Sequence, residues 1–149
     1  MSRSGYSDDY EYAAIWAGRV ASASRGKRGQ QFFRDLLAAL DAMPEKSLIA
    51  HELQAPNGEV CAIGALGVAR GVDMTKIDPE CPEEFAAPFN IAECLARDVV
   101  YMNDEWGSGA EKPEDRWVRM RRWVAEQIVV TPEECNAVEI PESQGGEPG

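Results

Sequence analysis

The stretch Gln30-Gln-Phe-Phe-Arg-Asp-Leu-Leu-Ala-Ala-Leu-Asp-Ala-Met-Pro44 decides the fold class. Phe33, Leu36, Leu37, Leu40 and Met43 recur at the 3.6-residue period of one helix face, and Pro44 ends the run because the residue before a proline is pushed out of helical geometry. A second such stripe follows downstream. Ile91, Leu95, Val99, Met102 and Trp106 predict a helix with Asn90 as its cap, ending near residues 103–107. A third begins at Pro113-Glu-Asp115, a proline and two acids suited to a first turn, and buries Trp117, Met120, Val124 and Ile128 before Pro132. Upstream, Ser7-Asp-Asp9 reads as a helix start, with Tyr12, Trp16, Val20 and Ala23 on one face of a helix over residues 8–24. Its remaining small residues, Ala13, Ala14, Ala17, Gly18 and Ala21, would let another helix approach closely.

Between these helices the pattern changes. Residues 48–53 alternate, Pro56-Asn57-Gly58 is a turn signal, and Val60-Cys-Ala-Ile63 follows, which predicts a small β-hairpin near residues 48–63. Residues 62–70 then form a short helix packed backbone to backbone and stopped by Gly71, and residues 73–88 read as a loop rich in Asp, Glu and Pro. The expected architecture is mainly α (α+β), four to five helices with one small hairpin. It forms a single domain over residues 1–130, followed by a capped turn at Thr131-Pro-Glu-Glu134 and a flexible acidic tail to residue 149.

The 149 residues suffice for one core, since a chain of this length removes roughly two thirds of its unfolded surface from water. A hydrophobic share of 44% argues against general disorder. No run reaches the roughly 20 apolar residues of a membrane span, and the first nine residues lack a secretory core, so a cytoplasmic location is expected. Cys61, Cys81, Cys94 and Cys135 form no C-x-x-C pair and His51 is the sole histidine. Free thiols, no metal and no cofactor are expected.

The net charge is −11, which disfavours nucleic acid and anionic membranes as partners. The charge is unevenly spread: residues 1–43 carry +1, residues 44–112 carry −8 and residues 113–149 carry −4. The acidity belongs to the middle and the tail, and points to a partner protein with a basic surface. Candidate contacts are Glu80, Glu83, Glu84, Asp104, Glu105 and Glu111, with Trp123 as an apolar contact off the buried stripe of its helix. A homodimer is also compatible with this reading.

Two other features carry chemistry. Arg25-Gly-Lys-Arg-Gly29 places Arg25, Lys27 and Arg28 on a glycine loop before a helix, where backbone amides attract anions; this supports an alternative as a nucleic-acid-associated regulator. Arg116, Arg119, Arg121 and Arg122 add to the basic count, but Asp115, Arg119, Arg122 and Glu126 fall at the spacing of a surface ion-pair ladder. Finally, Cys61 sits where a strand meets a helix, so its thiolate would be favoured by helix amides, and His51 with Asn103 or Asp104 would complete a cysteine-hydrolase set. A two-residue Asn57-Gly58 turn opposes this: it sets Cys61 opposite Gln54, with His51 on the other face.

Several of these segments carry a resemblance. Ser4-Gly-Tyr-Ser-Asp-Asp9, Val20-Ala-Ser-Ala-Ser-Arg-Gly-Lys-Arg-Gly-Gln30, Val60-Cys-Ala-Ile-Gly-Ala-Leu66 and Met102-Asn-Asp104 with Pro113-Glu-Asp-Arg-Trp117 resemble a family of small uncharacterised proteins of bacteriophages and prophages, over residues 4–129. The Cys-Ala-Ile-Gly-Ala-Leu segment also resembles a bacterial domain family of unknown function. The resemblance implies an accessory protein of the bacterial cytoplasm and assigns no catalytic residue. The expected function is a non-enzymatic inhibitor or modulator of a host protein, of anti-CRISPR or anti-restriction type, whose acidic surface mimics nucleic acid.

Overall fold

The computed structural model describes residues 10–105 and 110–130; within them the side chains of residues 10–14 and of Trp16 lie outside the description. The Ser7 to Asp9 helix start, Trp106, the turn at Thr131, Cys135 and the tail therefore also lie outside it. Six α-helices are present among the described residues: α1 (Tyr10–Arg25), α2 (Lys27–Ala42), α3 (Ala62–Ala69), α4 (Pro82–Ala86), α5 (Glu93–Asp104) and α6 (Pro113–Gln127). Short 3-10 turns occupy Met74–Lys76 and Ala87–Phe89. The mainly helical reading holds, with more helices than the four to five expected, because the stretch read as a loop contains α4 and both 3-10 turns.

The core forms where α2, α3, α5 and α6 meet. Phe32, Phe33, Leu36 and Leu40 of α2 are buried against Ile63 and Leu66 of α3, Leu95 and Val99 of α5, and Met120 and Val124 of α6. Helix α3 is the centre: residues 61–67 are all buried, as expected of a helix with no polar face. It ends in a Schellman motif, with the Val72 amide donating to Gly67 O (2.8 Å) and the Gly71 amide to Val68 O (3.0 Å). The close approach expected here is real. A Cβ on Gly64 would overlap the carbonyl oxygen of Leu53.

The hairpin is reduced to one antiparallel bridge, Gln54 with Val60; no extended strand occurs among the described residues. The Ala55 amide donates to Glu59 O (2.8 Å) and Gly58 closes the loop at φ 95°. Three residues rather than two therefore connect the arms, a turn followed by a left-handed glycine. The register moves by one: Gln54 faces Val60, and Cys61 donates its amide to Leu53 O (3.2 Å). Extension of the ladder stops because Ala62 already begins α3.

The basic loop is also corrected. Only Gly26 interrupts the helices, so Arg25 ends α1 while Lys27 and Arg28 open α2 at a tight corner. Gly29 is buried there, and a Cβ would strike the Ala23 carbonyl. Gln30 fixes the corner to the end of α6: its Nε2 donates to Ser24 O and Gln127 O (both 2.8 Å), and its Oε1 accepts from the Val129 amide (2.7 Å). Asn90 does not cap α5; it adopts the left-handed conformation (φ 55°) at the end of the second 3-10 turn, and Ala92 is the residue before α5.

Candidate functional site

Of the residues singled out as a hydrolase set, Cys61 and Asn103 meet at the start of α3, and His51 reaches the same junction only through Asp104. Asn103, 1% exposed, accepts the Ala62 amide at Oδ1 (3.1 Å) and donates from Nδ2 to Ile49 O (3.0 Å) and Asp104 Oδ1 (2.8 Å). The Asp104 carboxylate is buried, accepts the His51 amide (3.2 Å) and lies 3.8 Å from His51 Nδ1. His51 holds a left-handed backbone (φ 71°), and its imidazole is 77% exposed. Cys61, in contrast, is 1% exposed, and its Sγ accepts the Gly64 amide at 3.4 Å as the N-cap of α3. The thiol faces its own helix start and is closed to solvent, while the imidazole faces water.

Two arginines of α6 complete this junction. Arg116 donates to Asn103 O (3.1 Å) and Leu48 O (3.0 Å), and Arg119 to Met102 O (2.6 Å) and Asn103 O (3.3 Å). Both therefore cap the carboxyl end of α5, where free carbonyls and the helix dipole favour cations. Glu111 holds Arg119 in a two-bond fork (2.7 and 2.9 Å) and sits 3.4 Å from Arg116. The hydrogen bond from Arg119, reinforced by the charges of both guanidinium groups, keeps the Glu111 carboxyl below the usual range despite burial, which acts the other way. The surface ladder read through Arg119 is thus replaced by a partly buried knot.

The acids proposed as partner contacts divide accordingly. Asp104 and Glu111 belong to the junction, and Glu105 is exposed just beyond α5. Glu80, Glu83 and Glu84 are exposed on a separate stretch, residues 73–84, together with Asp73 and Asp78; Lys76 is the one cation in that stretch. Local bonds shape it. Asp73 accepts from the amide and hydroxyl of Thr75, which lowers its pKa; Asp78 accepts the Glu80 amide (2.9 Å) and Glu84 the Asp78 amide (3.4 Å). Met74 and Phe85 are buried at its two ends, each anchor contributing about 2 kcal/mol of burial. The carboxylates are thereby presented on a fixed frame.

The cations are dispersed. Arg25, Lys27 and Arg28 are exposed at the α1–α2 corner, with Arg28 donating to Asn90 Oδ1 (3.2 Å). Arg70 pairs with Asp35 (2.6 Å) and lies over the Phe89 ring. Arg121 forks onto Asp41 at the surface (2.6 and 3.1 Å), and Arg122 is exposed. Trp123 is not a free contact either: it packs on the core, edge to face with Phe33 at 5.6 Å. The roles of Arg116 and Arg119 have no signal in the sequence, because most of their partners are backbone carbonyls of other segments, at Leu48, Met102 and Asn103.

Among the described residues no His, Cys, Asp and Glu side chains converge as a metal site would, and no helix is long and apolar enough to cross a membrane. Comparison with protein-family models, curated proteins and solved structures returns no match.

Proposed function

We propose that the chain is a non-enzymatic binding protein, a phage-type accessory factor that occupies a basic, nucleic-acid-binding surface of a host protein in the manner of an anti-CRISPR or anti-restriction inhibitor. The observation that carries this reading is residues 73–84: five carboxylates against one ammonium, exposed on a segment pinned by Met74 and Phe85. Fixed charges of one sign speed association with an oppositely charged surface and make it salt-sensitive. The active contacts are Glu80, Glu83 and Glu84 with Asp73 and Asp78; Glu105 extends the set, whereas Asp104 and Glu111 serve the fold.

The test is affinity purification from bacterial lysate with wild type and with E80Q/E83Q/E84Q. A basic protein retained at low salt by wild type and lost by the variant is the expected outcome. Equal retention by both removes the acidic stretch from the interface. Low-salt anisotropy with labelled DNA tests the nucleic-acid reading, which rests on the exposed Arg25 and Lys27; binding lost on R25Q/K27Q would favour it.

A further inference from the structure

The last turns of α2, the second half of α3 and the turn at residues 57–60 enclose a cleft of about 430 Å³, within the size range of ligand sites. Its walls are apolar: Ala39, Ala42 and Met43 of the α2 end, Val60, and Ala65 with Val68 of α3. Val68 is 50% exposed, unusual for a valine beside a core. The lips carry negative charge. Glu45 stands on the segment after α2 and Glu59 on the turn opposite, and among the described residues no Lys or Arg lines the cleft.

The carboxyl end of α2 is capped here by the Lys46 ammonium, which donates to Asp41 O and Met43 O (2.5 and 2.7 Å) and lies over Trp117, and Arg70 pairs with Asp35, so the negative charge of the cleft is that of Glu45 and Glu59. An apolar hollow inside a negative rim suits an apolar group on a cationic carrier. The tail of this chain has the wrong sign, with five acids and no base over residues 131–149.

We propose that the α2–α3 cleft is a docking site for an apolar side chain carried on a basic segment of a partner protein. The proposal rests on the reading of the chain as a binder of basic proteins, and adds to its electrostatic surface an apolar anchor point. Charge brings the partner in from a distance, and burial of one or two side chains in the cleft holds it.

The probe is the capped peptide Lys-Lys-Leu-Phe-Lys-Lys, titrated into the ¹⁵N-labelled full chain. Shifts should centre on the amides of Gly58, Ala65, Val68 and Ala69. Affinity should fall about tenfold when Leu-Phe is replaced by Ala-Ala and at least about fivefold when the lysines become glutamates. In the protein, A69F, which fills the cleft from its exposed edge, should weaken binding about tenfold. E45Q/E59Q, on exposed residues outside the core, should weaken it about threefold and flatten its salt dependence. E80Q/E83Q/E84Q should leave peptide binding unchanged, so failure of the cleft and failure of the acidic stretch are read separately. Absent binding, equal affinity for the Ala-Ala peptide, or shifts centred on residues 73–84 would overturn the proposal. So would self-association in sedimentation velocity that A69F abolishes, since the occupant would then be a second copy.

Discussion

Helices α1 and α3 are built from nearly the same small residues and end in opposite places. Helix α1 contains Ala17, Gly18 and Ala21, and all three are exposed together with Ile15. Helix α3 contains Ala62, Gly64, Ala65 and Gly67, and all four are buried. Among the described residues a Cβ on Gly18 would meet nothing within 4 Å, whereas one on Gly64 would run into the Leu53 carbonyl. Small residues permit close approach without causing it. The difference lies in the neighbours: α3 carries no charged residue, so every face can be covered, while α1 keeps Arg19, Ser22 and Arg25 facing water. The close approach expected at α3 is found there; of the small residues of α1, Ala17, Gly18 and Ala21 are exposed, and the side chains of Ala13 and Ala14 lie outside the described residues.

The sharpest way to break this contrast is Gly64→Ala. The clash is with backbone that cannot rotate aside, so a loss of at least about 3 kcal/mol is expected in urea denaturation, outweighing the roughly 1 kcal/mol helix-propensity gain of alanine. Wild-type stability would show that the Leu53 segment is free to move away and that α3 is less enclosed than described.

A smaller effect is expected beneath the first turn of α3, where Asn103 holds the Ala62 amide at the end of α5. Arg119→Met removes a cap from that end and should cost about 2 kcal/mol near neutral pH, the order of a charge-assisted bond to a partly buried partner. The pH dependence has a definite sign. The Glu111 carboxyl is depressed below its ordinary 4.5 by Arg119, so its contribution is present above the unfolded pKa and is lost as pH falls through the folded one. Wild type should lose more stability than R119M between neutrality and about pH 3. Parallel losses would mean that Glu111 is not coupled to folding through Arg119.

The smallest expected effect has the opposite sign. Gly18→Ala places a methyl in open space on a helix and should stabilise by roughly 0.5–1 kcal/mol. A destabilised G18A variant would mean that something covers this face in solution.

Much of the helical framework is legible in the residues. The Phe33, Leu36 and Leu40 spacing, the stop at Pro44, the acids after Pro113 and the Gly71 ending all describe local geometry, which neighbours in sequence set within a few residues. The hairpin is where this local reading fails. Asn57-Gly58 marks a turn correctly, but whether two or three residues close it depends on Ala62 entering α3 and on Asn103 taking its amide. The candidate site divides the same way. The charge on residues 73–84 follows from composition, and Met74 and Phe85, unremarked in the pattern, are what hold those acids in place. Asp104, Arg119 and Trp123 look like surface residues in a helical projection, and each is taken up by a group on another segment: the His51 amide, the Met102 carbonyl and the Phe33 ring.

The sequence by itself determined the mainly helical character, the apolar stripes of the longer helices and the sign of the charge in each segment, because propensity, periodicity and composition act over short distances. Only the tertiary structure decided which charges remain outside and which small residues are enclosed. It alone placed His51 in water and a cleft with acidic lips between α2 and α3. Burial and partner are properties of packed neighbours, and the neighbours that matter here lie tens of residues apart along the chain.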